Sequence, residues 1–150
     1  MARENSWVTG MGYEGLALDE FVKELASLRI DILVDVRLNA ISRKRGFSKT
    51  ALSLALTNAG ITYLHRPALG NEKSNRDGYG ETRTPTANAA REAFRQSMKK
   101  DESAAALTEI AALASANRVA IFCFEKSQRH CHREQVIDAV LLKLAEPTRV

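Results

Sequence analysis

At 150 residues, 45% hydrophobic and 27% charged, the chain has the size and composition of one ordinary globular domain that buries its core without disulfides or metals. No run approaches the roughly 18 apolar residues of a membrane span, the opening MARENSWVTG lacks a signal-peptide layout, and two cysteines make no disulfide framework, so one cytoplasmic domain over residues 1 to 150 is expected. With 22 Lys and Arg against 18 Asp and Glu, a net charge of +4 and a pI near 9.3, the balance leans toward anionic partners, although net charge bears on steering and solubility and not on activity.

In chain order, Ser6 to Thr9 (SWVT) predicts a first strand running into a glycine turn, GMGYEG at 10 to 15. Leu18, Phe21, Val22, Leu25 and Leu28 then fall at helical spacing, with Asp19 and Glu20 in the first turn, where the helix dipole favours acids. Ile32 to Val36 (ILVDV) is a β-branched run continuous enough to be buried on both faces, as parallel strands are. These three elements make a βαβ unit. The cationic connection RLNAISRKRGF leads to Ser48 as an N-cap, with Phe47 and Leu52 spaced for a hydrophobic staple and Gly60 as the stop of a second helix. Ile61 to His65 (ITYLH) predicts a third strand and a second crossover.

Residues 66 to 85 carry three glycines, two prolines and many charges with no apolar period. They predict a loop of about 20 residues, a length that marks a lid, a binding loop or a disordered segment. Asn88 to Ala116 predicts one or two helices with a break near Asp101, burying Phe94, Met98, Leu107, Ile110 and Leu113. Val119 to Phe124 (VAIFCF) is the most hydrophobic strand and is expected centrally. After EKSQRHCHRE, a last helix carries Val136, Ile137, Val140, Leu141 and Leu144 on one face, with Pro147 at its end. The predicted fold is a three-layer α/β/α arrangement with a mainly parallel sheet of about four to five strands.

In an open parallel sheet, ligands collect outside the carboxyl ends of the strands. Each strand here exits into polar residues: Tyr13 and Glu14; Asp35, Arg37, Ser42 and Arg43; and Cys123, Glu125, His130, Cys131, His132 and Arg133. Cys131, between two histidines at a helix start, sits where unpaired N–H groups and cations favour a thiolate, so it is a candidate nucleophile. The alternative is a cysteine packed as a small hydrophobe, and the apolar strand around Cys123 favours that for Cys123. Cys123 and Arg129 match the spacing of a cysteine-phosphatase loop, yet the intervening FEKSQ has no glycine to let backbone N–H groups converge on phosphate. Cys123, His130, Cys131 and His132 are zinc-ligand types, but adjacent His-Cys-His does not readily give three ligands to one tetrahedral ion. No metal and no cofactor are expected.

Asp35 and Arg37 are read as diverging to opposite sides of the sheet, one serving the site and the other supporting it. An internal salt bridge from Asp35 to Arg133 is the purely structural reading. Glu125 and His132 offer a general acid and base, and Arg37 with Arg133 offers a two-pronged anion clamp. The catalytic candidates are therefore Asp35, Glu125, Cys131, His132 and Cys123, and the substrate-binding candidates Tyr13, Arg37, Ser42, Arg43 and Arg133.

The segments GYEG at 12 to 15, VDVR at 34 to 37, GFSK at 46 to 49, LG at 69 to 70, CFEK at 123 to 126 and HCHR at 130 to 133, in that order, resemble the DUF488 family. The resemblance covers nearly the whole chain and departs from the family pattern only in the long polar loop after Gly70. It implies the same fold and a shared site around these residues, but no reaction, since the family's name records an unknown function. Three readings stay open. One is a hydrolase or transferase acting on an anionic, nucleotide-like or nucleic-acid substrate. A second is a non-catalytic nucleic-acid-binding module using SRKRGFSK at 42 to 49, with Phe47 and Tyr79 to stack on bases. The third is a thiol-redox protein cycling Cys123 and Cys131 through a disulfide, against which the absence of a Cys-x-x-Cys motif counts.

Overall fold

The computed structural model describes residues 7–125 and 131–145. Strands β1 (Trp7–Gly12), β2 (Ile32–Asp35), β3 (Thr62–His65) and β4 (Arg118–Cys123) form one sheet in the order β1-β4-β2-β3, with every pairing parallel. The α-helices described are α1 (Leu18–Ser27), α2 (Lys49–Asn58), the short α3 (Lys73–Arg76), α4 (Pro85–Ser97), α5 (Asp101–Ala114) and α6 (Arg133–Ala145).

The last strand in the chain is inserted between β1 and β2, so β4 has partners on both sides. Its sequence VAIFC is suited to that place, being fully or almost fully buried along its length. Alternation along the strands sorts their side chains onto two faces. Ile32, Val34, Val36, Val119, Ile121 and Cys123 pack with Ile110 of α5 and Val136 and Val140 of α6. Leu33, Ala120 and Phe122 pack on the other face with Phe21 and Leu25 of α1 and Leu52 and Leu56 of α2. The result is a three-layer α/β/α fold.

Several boundaries differ from the sequence expectation for physical reasons. β1 runs on through Gly10 and Gly12, because both stay in register with Ile121 and Cys123 of β4; the turn is made by Gly15, at φ +82°. Ser48 holds the N-cap position of α2, but its hydroxyl accepts from the Ser42 N–H at 2.9 Å and latches the preceding loop instead of the helix. The alanine-rich stretch breaks at residues 98 to 100, with Met98 and Leu113 only partly buried. On α6 the core face is Val136, Ile137 and Val140, whereas Leu141 is exposed. Pro147 lies outside the described residues.

Segment 66 to 85 is not a structureless loop. It folds into a 3-10 turn at Pro67–Leu69, α3, and a second 3-10 turn at Asp77–Gly80. Leu69 and Tyr79 are buried, the Ser103 hydroxyl donates to the Ala68 carbonyl at 2.7 Å, and the Asn75 side-chain amide donates to Asn71 Oδ1 and the Ala90 carbonyl, each at 2.9 Å. The segment thus closes over the carboxyl edge of the sheet. Among the described residues no helix is long and apolar enough to cross a membrane.

Candidate functional site

The end of β2 carries a buried ion pair. The Asp35 carboxylate is fully buried and accepts from the Arg37 backbone N–H at 3.0 Å, from Arg37 Nε at 2.9 and 3.1 Å, from Arg37 Nη2 at 2.7 Å and from the Tyr63 hydroxyl at 2.5 Å. Arg37 Nη1 donates to the Phe47 carbonyl at 2.6 Å, and the guanidinium lies 4.9 Å from the Phe122 ring centroid. Tyr13 stacks on Phe47 at 4.4 Å and donates to Ser42 Oγ at 3.1 Å. Burial alone would lower the Arg37 pKa, but bonding to Asp35 raises it above its ordinary value. Burial first, and then Asp35, raises the Tyr63 phenol well above its own.

Asp35 and Arg37 do not diverge, because residues two apart on an extended segment share a face, and both lie on the side of Leu33 and Phe122. The partner of Asp35 is Arg37 and not Arg133.

The thiol half of the site belongs to the other face. Cys123 ends β4, Cys131 precedes α6, and a disulfide joins them. The Arg133 backbone N–H donates to Cys131 Sγ at 3.5 Å, and Arg133 Nη1 donates to Cys123 Sγ at 3.3 Å and to the Glu125 carbonyl. Glu125 Oε2 lies 3.4 Å from Cys123 Sγ. Burial pushes the Arg133 guanidinium below its ordinary value, opposed by the charges of Glu125 and Glu134.

His132 completes this half. Its Nε2 lies 3.0 Å from the Val36 carbonyl, and since a carbonyl only accepts, Nε2 carries the hydrogen. Burial, helped by the charges of Arg76 and Arg133 and opposed by backbone acceptors at Val36 and Leu69, brings its pKa down to about 4. The imidazole is therefore neutral near pH 7. Its Nδ1 lone pair is 3.7 Å from Cys131 Sγ, and Phe94 packs edge-on at 5.1 Å.

A cavity of about 140 Å³ opens at the carboxyl edge, and Tyr13, Arg37, Cys123, Glu125, Cys131 and His132 all line it. The structure thus brings together six of the expected residues from three strand exits. Asp35 stands behind Arg37, outside this lining, and Ser42 supports Tyr13. Arg133 lies fully buried beside Cys123. Arg43 is exposed on its loop and does not reach the cavity. His130 and Arg129 lie outside the described residues. Phe47 and Tyr79 are buried, so neither presents a face on which a base could stack.

Sequence reasoning missed Asn71 and Arg76 and gave Tyr79 another role; all three come from segment 66 to 85 and line the cavity. Arg76 is exposed at its mouth, with Nε donating to the Asn71 carbonyl at 3.2 Å. The usable signal was the length of the polar stretch and the tyrosine flanked by glycines within it. A larger groove of about 830 Å³ lies between the Pro67–Leu69 turn, α4 and α5. It contains none of the candidate residues.

The fold and this edge define an all-parallel α/β protein whose polar site gathers cysteine, histidine and arginine side chains from separate strand exits. Residues 17–140 match the family model described as "Domain of unknown function DUF488", and the chain belongs to that family. The matched span includes every candidate residue except Tyr13. Neither a curated protein nor a solved structure matches the chain.

Proposed function

We propose that this DUF488 chain is a thiol–disulfide oxidoreductase, with Cys123 and Cys131 as its redox pair and a small anionic disulfide or dithiol as the substrate class. The observation that carries the reading is the meeting of two cysteine sulfurs in the lining of a small cavity, with donors directed at both of them. The hydrolase or transferase reading has less support. Asp35 is saturated by Arg37 and Tyr63.

In the reduced protein, Cys131 is the attacking thiolate. The N–H at the start of α6 faces its sulfur, and His132 Nδ1 accepts the hydrogen bond of the thiol form, while the proton leaves to solvent through the cavity. The thiolate attacks one sulfur of the substrate disulfide, and the S–S electron pair departs with the leaving thiolate. Cys123, whose thiolate is stabilised by the Arg133 guanidinium, then attacks Cys131 Sγ in the mixed disulfide. This forms the cystine and expels the second substrate thiolate. Two electrons pass to the substrate, and a dithiol reverses the cycle. Arg76, at the mouth, supplies charge for an anionic substrate.

Oxidised glutathione serves as the probe. The Cys123→Ser chain is expected to accumulate a mixed disulfide at Cys131 by intact-mass spectrometry, and Cys131→Ser to accumulate none. Arg76→Ala should raise KM while leaving the folding midpoint in place. If reduced wild type reacts no faster than the same chain unfolded in urea, the pair is inert and the reading fails.

A further inference from the structure

We infer that the reduced Cys123 and Cys131 thiolates, together with His132 Nδ1 and Glu125, form a binding site for a zinc-type divalent ion. One ligand atom from each of Cys123, Cys131 and His132 already lies within 4.8 Å of the others. Zinc bonds of about 2.3 Å to sulfur and about 2.0 Å to nitrogen or carboxylate oxygen place neighbouring ligands of a tetrahedron roughly 3.5 Å apart. Cys131 Sγ to His132 Nδ1 is 3.7 Å and Cys123 Sγ to Glu125 Oε2 is 3.4 Å, two contacts of that length, while the edge between the two sulfurs opens only when the disulfide that joins them is reduced.

The surroundings also fit a metal site. His132 donates its other ring nitrogen to the Val36 carbonyl at 3.0 Å, the arrangement that fixes the tautomer and orientation of ligating histidines. The imidazole offers an unprotonated Nδ1, and the Arg133 guanidinium bonds Cys123 Sγ at 3.3 Å, easing the charge of two thiolates and a carboxylate on one dication. Glu125 is only half-buried and lies on the cavity wall. It is the ligand that an incoming group would displace. Oxidation of the thiols to the cystine removes two ligands at once, so the ion belongs to the reduced protein alone.

The inference shares its cysteines with the oxidoreductase reading but does not depend on exchange activity. Cobalt(II) is the probe, because its ligand-field bands report tetrahedral geometry and its sulfur-to-metal charge-transfer band reports thiolate ligation. Reduced wild type is expected to take up one equivalent with both signals, and zinc to displace it. Oxidation with diamide should abolish uptake, and re-reduction should restore it. Loss of an outer-shell partner alone typically lowers affinity about 10- to 100-fold, so Cys123→Ser, Cys131→Ser and His132→Gln should each lower it more than about 100-fold. The glutamine can still donate to Val36, and circular dichroism checks the fold of each variant. No charge-transfer band in reduced wild type, or a band that survives oxidation, overturns the site. Cobalt uptake without disulfide exchange supports the ion site and removes the oxidoreductase reading. Exchange without cobalt uptake does the reverse.

Discussion

Asp35→Ala provides the sharpest separation of scaffold from chemistry. The substitution removes the acceptor of a backbone N–H, two guanidinium nitrogens and the Tyr63 hydroxyl, and leaves the Arg37 charge almost fully buried. Breaking a buried ion pair from one side costs about 3 to 5 kcal/mol, because the stranded charge keeps its desolvation penalty. That is a large part of the roughly 5 to 15 kcal/mol by which domains are stable. At about 2 to 4 °C per kcal/mol for a chain of this size, the melting midpoint should fall by roughly 6 to 20 °C. Urea unfolding measures the same loss as a lower midpoint at unchanged slope. Asp35→Asn, which keeps an acceptor of the same size, should lose less and retain glutathione exchange. In the double variant Asp35→Ala with Arg37→Met, the cost should fall well short of the sum of the single costs, since the charges leave together. A loss below about 1 kcal/mol, the size of an exposed pair, would refute this account. So would an Asp35→Asn chain that folds like wild type and has lost all exchange.

A Cβ on Gly70 would stand 2.5 Å from Leu38 Cα and 2.7 Å from Leu38 N, so Gly70→Ala must push the Pro67–Leu69 turn away from the exit of β2, at a cost of about 1 to 3 kcal/mol; a urea midpoint equal to wild type would show that the contact gives freely. The Tyr63 phenol is held well above its ordinary value by burial and Asp35, and the Tyr79 phenol is pushed up to about 12 by burial. Unfolded tyrosines ionise near pH 10, so above about pH 10 the unfolded chain binds fewer protons than the folded one, and stability falls as pH rises. Denaturation midpoints from about pH 9 to 11 should show that decline, flattened in the Tyr63→Phe, Tyr79→Phe double variant; an equal decline in that variant would assign it elsewhere.

The layers and the site's edge were legible because their signals repeat. Leu18, Phe21 and Leu25 mark a helix three times over, and the runs ILVDV and VAIFCF are apolar enough to require a sheet covered on both sides. Segment 66 to 85 was not legible, because single contacts hold it: Leu69 and Tyr79 in the core, Gly78 against Ala90, and the Asn75 amide on two carbonyls. No period records such anchors. The joining of Cys123 to Cys131 was hidden by the lack of a Cys-x-x-Cys motif, a spacing that serves two cysteines on one helical turn. Here the strand end and the helix start supply one cysteine each.

The sheet plane divides this site into halves that different residues stabilise. On one face the Asp35–Arg37 pair is enclosed by Tyr13, Phe47, Phe122 and Tyr63; on the other, the cysteines and His132 pack with α6. The link between them is backbone. Arg37 bonds the Asp35 carboxylate with both its N–H and its side chain, and its carbonyl lies 2.8 Å from His65 Nε2. These contacts fix the path on which β2 leaves the sheet. The residue between them is Val36, whose carbonyl holds His132 Nε2. A shift of that path would turn the imidazole and move Nδ1 away from Cys131. In the exchange reaction proposed above, the ion pair would therefore act as a positioning element, by setting where the Val36 carbonyl points, without either charge touching the substrate.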